Sequence, residues 1–334
     1  MTGPGEGTPL LEISGLRVEL PHRSAGMVPA VDGVDLHVGR GEVLGVAGES
    51  GSGKTMTALA TLGLLPHGAR TSGSIRLAGR DLLGLPARQL RDVRGKEVAM
   101  VAQDPRTALH PMLTVERQLT EHLRHHHGVG RRAARAEAEE LLDQVRIPDP
   151  GKALARYPHE FSGGMRQRIA IASALAGRPE LLIADEPTTA LDVTVQAGIL
   201  RLLDRLRRER GLAVLIITHD LGVLSSLADR LVVMYAGRVV ETGTTAEVLT
   251  AARHPYTRGL LDALPEGGTA TMRPIPGSPP ALGAVPAGCP FHPRCAHARE
   301  SCRQQVPPLL EIGPARESAC PVDPYAPVPL QEVR

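Results

Sequence analysis

The chain has 334 residues, a formal net charge of +2 and 42% hydrophobic residues. That length predicts one large domain plus an appendage, or two domains, with enough chain to bury a core. The near-neutral charge argues against general nucleic-acid binding. No apolar run reaches the roughly 18–20 residues that span a bilayer, and residues 1–9 lack the basic and apolar regions of a secretory signal. A cytosolic protein is expected, with a membrane partner left open.

Residues 10–20 alternate apolar and polar and predict a strand. Residues 34–38 and 73–77 predict two more, together an antiparallel β patch. Residues 43–47 form a short apolar run that predicts a buried strand. It leads into Gly48-Glu49-Ser50-Gly51-Ser52-Gly53-Lys54-Thr55. This is a P-loop, Gly-x4-Gly-Lys-Thr, between a strand and a predicted helix over 56–65. The glycines let successive backbone N–H groups turn inward onto phosphate oxygens. Lys54 then reaches the β- and γ-phosphates, the Thr55 hydroxyl serves Mg²⁺, and the helix N-terminus adds partial positive charge.

Residues 97–102 predict a strand ending at Gln103. Residues 114–152 read as helical. The trio His125-His126-His127 has the residue type for metal, but its basic, glycine-containing surroundings predict a solvated loop. Residues 162–176 predict a helix, 181–185 a strand, 195–208 a helix and 213–218 a strand. This alternation predicts a mostly parallel α/β core. A hairpin is expected around Ala236-Gly237, followed by a capping box, Thr244-x-x-Glu247. Beyond about residue 253 proline and glycine become dense and periodicity is lost, which places a boundary there.

Three further features carry chemistry. The strand at 181–185 ends in Asp185-Glu186. If it lies beside the P-loop, Asp185 reaches the Mg²⁺ shell and Glu186 can deprotonate an attacking water. Ser162-Gly163-Gly164 opens a helix and offers a second phosphate-binding device. One P-loop has no use for two such devices, unless Ser162 serves a nucleotide held by another subunit. His219 follows the strand at 213–218, where it is either a strand-end cap or a phosphate contact.

The order of these elements resembles the ATP-binding-cassette (ABC) ATPases: P-loop 48–55, Q-loop Gln103, signature Ser162-Gly163-Gly164-Met165, Walker B ending in Asp185-Glu186, D-loop Ala190-Leu191-Asp192 and switch His219. The signature departs from the common Leu-Ser-Gly-Gly-Gln at its first and last positions but keeps Ser-Gly-Gly. The resemblance implies that Gly48, Ser50, Gly51, Ser52, Gly53 and Lys54 hold phosphates. It implies that Thr55, Gln103 and Asp185 serve Mg²⁺, that Glu186 is the general base and that His219 contacts the γ-phosphate. Ser162, Gly163 and Gly164 would complete the partner's ATP site in a head-to-tail dimer. The expected fold is a P-loop ABC cassette over 1–253, with a helical subdomain over about 104–175 and a C-terminal extension over 254–334. One element departs from the family. Where an adenine-stacking aromatic is usual, this chain has Leu20, His22, Arg23 and Ala25, and no Tyr, Phe or Trp occurs before Tyr157. An arginine plane or His22 would have to substitute, and weak, base-tolerant binding is expected.

The runs at 48–51, 103–111 and 157–165, and above all His254-Pro255-Tyr256-Thr257-Arg258-Gly259-Leu260-Leu261, resemble the ATPases of oligopeptide, dipeptide and nickel importers. This implies ATP-driven peptide import at the cytoplasmic face of the membrane. A homologous second ATPase, two permease subunits and an extracytoplasmic binding protein would be partners, and nucleic acid would not. Import of nickel or another small solute, and a soluble non-transport ABC ATPase, remain as alternatives. Cys289, Cys295, Cys302 and Cys320, spaced C-x5-C-x6-C-x17-C, are the only cysteines. Disulfides are rare in the cytosol, and zinc sites usually carry tighter pairs. An iron–sulfur cluster, zinc or free thiols are the readings that remain. The stretch Gly288-Cys289-Pro290-Phe291-x-x-Arg294-Cys295 resembles the cluster-bearing segment of peptide-importer ATPases, which implies [4Fe–4S].

Overall fold

The computed structural model describes residues 8–189, 191–264 and 273–325. The chain opens with a long hairpin, β1 (Leu11–His22) and β2 (Gly26–Val38), followed by β3 (Val43–Ala47) and α1 (Lys54–Thr61). Next come β4 (Arg70–Leu77), β5 (Arg80–Asp81), α2 (Ala87–Val93) and β6 (Val98–Val101). A helical stretch contains α3 (Pro105–Ala108), α4 (Val115–His127), α5 (Arg131–Gln144), α6 (Pro150–Ala153) and α7 (Gly163–Leu175). The chain then runs through β7 (Leu181–Asp185), α8 (Val193–Arg210), β8 (Ala213–Ile217), α9 (Leu221–Leu227), β9 (Arg230–Tyr235), β10 (Arg238–Thr244) and α10 (Thr245–Thr250). After residue 253 lie α11 (Pro255–Asp262), α12 (Ser301–Gln304), β11 (Leu310–Gly313) and β12 (Arg316–Ser318).

Among the described residues two sheets form. One is antiparallel, in the order β2-β1-β4-β5. The other has eight strands, β11-β12-β10-β9-β3-β8-β7-β6, in which β9, β3, β8, β7 and β6 run parallel. These parallel strands are apolar throughout because both faces are covered. On β7, Leu181 and Ile183 face the core shared with the antiparallel sheet and α1, whereas Leu182 and Ala184 face the helical side. Alternate side chains of a strand point to opposite faces, so a continuous apolar run is what a doubly covered strand requires.

In the main sheet β8 separates β3 from β7, the strand that carries Asp185. Two sequence expectations need correction here. First, His125, His126 and His127 close α4 rather than forming a loop: Gly128, with φ of 66°, caps the helix one residue later. Imidazoles in a last turn suit the negative end of the helix. Second, the proline-rich region is not without regular structure. It adds β12 to β10, pairing Glu241 with Ser318, and so extends the main sheet. Strands this short carry too little periodicity to read from sequence.

Candidate functional site

Two P-loop glycines show why the loop tolerates little else. Gly48 has φ of 149°, and a Cβ there would sit 2.3 Å from the Met234 carbonyl oxygen. Gly53 has φ of 101°, with the Ala30 carbonyl oxygen 2.9 Å from a Cβ position. Both combine a backbone conformation that favours glycine with neighbours that leave no room for a side chain. Lys54 is 8% exposed and curls back over the loop. Its Nζ donates to the carbonyls of Gly48 at 2.7 Å and Glu49 at 3.0 Å, and to Ser52 Oγ at 3.4 Å. Burial pulls its ammonium below its ordinary pKa, opposed by the carboxylates of Glu186, Asp185 and Glu49.

Despite the intervening strand, Asp185 lies near the loop: α1 packs against β7, and Thr55 and Lys54 both act on the Asp185 carboxyl. Burial raises the Asp185 carboxyl above the ordinary aspartate value; Thr55 and Lys54 oppose this and Glu186 adds to it. Asp185 Oδ1 is buried without a hydrogen-bond partner. A buried, unsatisfied carboxylate oxygen beside a hydroxyl is a donor set that fits a hard divalent cation such as Mg²⁺.

Glu186 has φ of 49°, unusual for a residue with a side chain. Such strain is held only where the surroundings over-determine it. Here Glu186 Oε1 accepts from His219 Nδ1 at 2.8 Å and from the His219 backbone N–H at 3.3 Å. Oε2 accepts from Thr189 Oγ1 at 2.6 Å. Because a carboxylate only accepts, Nδ1 carries the proton and Nε2 of a neutral imidazole remains an acceptor. The His219 side chain is 64% exposed, against 12% for Glu186. A well-fixed carboxylate thus stands beside an exposed histidine.

Among the described residues no hydrogen bond joins the other expected residues to this group. Gln103 is exposed just after β6. Ser162 caps α7, its Oγ accepting from Met165 N–H at 3.3 Å. Gly164 abuts Val195 of α8, where a Cβ would stand 2.5 Å from that side chain. Among the described residues no hydrogen bond joins Ser162, Gly163 or Gly164 to the P-loop. Asp192 caps α8, its carboxylate accepting from Val195 N–H at 2.9 Å. Ala190 lies outside the described residues. His22 and Arg23, the replacements for an adenine-stacking ring, sit at the tip of the β1–β2 hairpin, where His22 Nδ1 contacts Ser24 Oγ at 3.3 Å.

Comparison with known proteins agrees with this geometry. The ABC transporter family model matches residues 31–189, and the model for the oligopeptide/dipeptide transporter C-terminal region matches residues 240–302. The oligopeptide transport ATP-binding protein OppD of Salmonella typhimurium is 48% identical over 319 residues, covering 95% of each chain. OppD of Escherichia coli is 48% identical, covering 93% of this chain and 92% of its own. This chain belongs to the ABC transporter ATPase family. Among solved structures, the dimeric bacterial ABC transporter cassette MJ0796 superposes with a TM-score of 0.63 at 26% identity, covering 70% of this chain and 98% of that one. The same cassette has been solved with ADP and phosphate bound. ATP binding and hydrolysis therefore belong to this chain as a member of that family.

The cysteine expectation does not survive. Cys289, Cys295, Cys302 and Cys320 do line one small cavity, with Phe291, His292 and Ala319. All four are free thiols. Yet among the described residues no group of three or more His, Cys, Asp or Glu side chains is arranged to hold a metal ion. The iron–sulfur assignment is thereby overturned. Burial pushes the Cys289 thiol up to about 11 and raises Cys295 and Cys320 as well, as for thiols enclosed in an apolar corner.

Sequence reasoning also missed a set of residues around Glu49. Tyr256 Oη accepts from the Glu49 backbone N–H at 2.7 Å, and Arg294 grips the Glu49 carboxylate with both terminal nitrogens, at 2.6 and 3.0 Å. Glu49 occupies a variable position of the P-loop pattern, and its partners follow more than 200 residues later. The only signal in the sequence was the oddity of a buried-type Tyr and an Arg in a loop-rich tail.

Proposed function

We propose that this chain is the ATP-hydrolysing subunit of a peptide importer, lying at the cytoplasmic face of the membrane. The observation that carries the catalytic half is Glu186, fixed by His219 and Thr189 next to the unsatisfied Asp185 oxygen. The peptide half rests on the match of residues 240–302 and on the relatives named for oligopeptide transport. Among the described residues no helix is long and apolar enough to cross a membrane, so the transport path must be supplied by permease subunits. An extracytoplasmic binding protein would deliver the cargo.

In this reading the P-loop N–H groups and Lys54 hold the β- and γ-phosphates. Thr55 and Asp185, with Gln103, would hold Mg²⁺, which when bound neutralises charge on the phosphate oxygens. Glu186 takes a proton from the attacking water onto a carboxylate oxygen, so that hydroxide character develops as the phosphoryl group departs. His219 keeps Glu186 aimed through Nδ1–H and has Nε2 free for a protonated group near the γ-phosphate. Ser162, Gly163 and Gly164 point their helix N-terminus at the nucleotide of a second, head-to-tail ATPase. The chain divides functionally into a cassette over 1–253 and an extension over 254–334. ATP closes the pair, hydrolysis reopens it, and the region around 104–175 passes the motion to the permease.

The test is peptide uptake by proteoliposomes holding the assembled transporter. ATP-dependent uptake of a labelled oligopeptide, abolished by Glu186→Gln, is expected. Uptake of nickel but not peptide, or robust ATP turnover with no transport of either, would overturn the peptide reading.

A further inference from the structure

The C-terminal extension reaches into the P-loop through one residue. Glu49 is held on all its polar groups. Its N–H donates to Tyr256 Oη, its carbonyl accepts from Lys54 Nζ at 3.0 Å, and its carboxylate is paired with Arg294. The Arg294 side chain is only 6% exposed and that of Glu49 27%. Arg294 is itself fixed: Nε donates to the Pro276 carbonyl at 2.9 Å, and a terminal nitrogen lies 3.4 Å from Tyr235 Oη. Its guanidinium rests 5.8 and 5.9 Å from the ring centres of Tyr235 and Phe291. Those two rings and Tyr256 pack together, with centroids 4.6 to 5.3 Å apart. Three of the six Tyr and Phe residues of the chain are therefore spent on one support behind the phosphate cradle.

The charge arrangement gives this support a second consequence. A carboxylate in a phosphate-binding loop repels the anion the loop must hold, and the Glu49 carboxylate acts on Lys54 electrostatically. Arg294 neutralises it at close range and in a partly dry environment, where a pair interacts more strongly than in water. An arginine suits this position because its planar fork takes both carboxylate oxygens at once.

We propose that Arg294 and Tyr256 are positioning residues for nucleotide binding, so that the ATP affinity of the cassette depends on the docked extension. Tyr256 sets the backbone of Glu49, and with it the carbonyl on which Lys54 rests. Arg294 cancels the charge of Glu49 and holds its side chain away from the phosphates. The inference rests on the ATP-site reading above but not on the nature of the cargo.

The experiment is titration of the full chain with a fluorescent ATP analogue and the matching ADP analogue. Arg294→Gln, Tyr256→Phe, Glu49→Gln and the double variant Glu49→Gln/Arg294→Gln are compared, with melting curves for each. Arg294→Gln should weaken ATP binding about tenfold, and ADP less, because it leaves an uncompensated carboxylate beside the phosphates. Its kcat at saturating ATP should stay within about twofold while KM rises, the mark of lost binding common to ground and transition states. The double variant should recover to within about threefold of wild type, since the repelling charge is gone. Tyr256→Phe should cost about threefold with the fold intact. Wild-type affinity in both Arg294→Gln and Tyr256→Phe overturns the proposal. So does a double variant that binds no better than Arg294→Gln. If Arg294→Gln fails to fold, Tyr256→Phe and the double variant decide it alone. A wild-type chain that binds no ATP would instead overturn the ATP-site reading, a distinct outcome.

Discussion

The molecule gathers potential ligand residues in two places, and the two differ in how those residues are arranged. At the ends of β3 and β7, Lys54, Asp185 and Glu186 are close together, one carboxylate oxygen is unsatisfied, and Glu186 is held in a strained backbone conformation. In the extension four thiols line one cavity, but burial holds Cys289, Cys295 and Cys320 toward the neutral form. Proximity of ligand-type residues is therefore not sufficient. Burial disfavours charge in both places; what separates them is arrangement, since Asp185 keeps an unsatisfied carboxylate oxygen near Lys54 and Glu186, whereas among the described residues no three ligand side chains are arranged to hold a metal ion.

The sharpest way to break this contrast is Glu186→Gln. Loss of the base should lower ATP turnover of the assembled transporter by about 10²–10⁴-fold while leaving ATP binding in place. Turnover unchanged from wild type would remove Glu186 from its role.

Asp185→Asn tests whether strain and burial are kept for function. Burial raises the Asp185 carboxyl, so the folded state binds its proton more tightly than the unfolded chain. Ionising it thus costs stability as pH rises through the ordinary carboxylate range, and the cost disappears at lower pH. Removing the charge should abolish Mg²⁺-dependent hydrolysis yet raise the melting temperature by about 2–4 °C near neutral pH. A lowered melting temperature would show that the charge is stabilising instead.

His254 probes the seam between the two places. It is buried, caps α11 by accepting from Tyr256 N–H at 3.1 Å, and its own N–H donates to Glu241 at 2.9 Å. Burial lowers its pKa from 6.5 to about 3. The unfolded chain therefore takes up the proton first, so stability present above 6.5 is lost progressively as pH falls toward 3. Melting temperature should drop between about pH 7.5 and about pH 5.5, and His254→Asn, which can still cap the helix, should flatten part of that slope. An identical slope in the variant would mean other groups govern it.

The smallest effect is expected at the cysteines. Anaerobically purified protein should carry less than about 0.1 iron or acid-labile sulfide per chain, far below a cluster's stoichiometry. Cys302→Ala should cost about 1 kcal/mol or less, as for a small apolar group, with ATP turnover intact. Stoichiometric iron would reverse the contrast drawn above.

Much of the site was legible because its chemistry is local. The P-loop needs glycines and a lysine within eight consecutive residues, and the carboxylate pair Asp185-Glu186 closes one apolar strand. The main strands were legible for a similar reason: doubly covered strands must be apolar throughout, and the hairpin at Ala236-Gly237 and the capping box at Thr244 use local geometry. Several other features were not. The histidines at 125–127 fell in a helix because Gly128, not the preceding sequence, ends it. The extension's strands were too short to show a period and exist because β10 offers them an edge.

The sequence by itself determined the cassette, the order of its motifs and the composition of the P-loop, since each is fixed by spacing along one segment. Only the tertiary structure decided which distant residues share a dielectric environment. It placed Arg294 and Tyr256 on Glu49 and put β8 between the P-loop strand and Asp185. It also enclosed three of the thiols where charge is disfavoured. A residue's type is set by the chain, but its protonation and its partners are set by what folding brings around it.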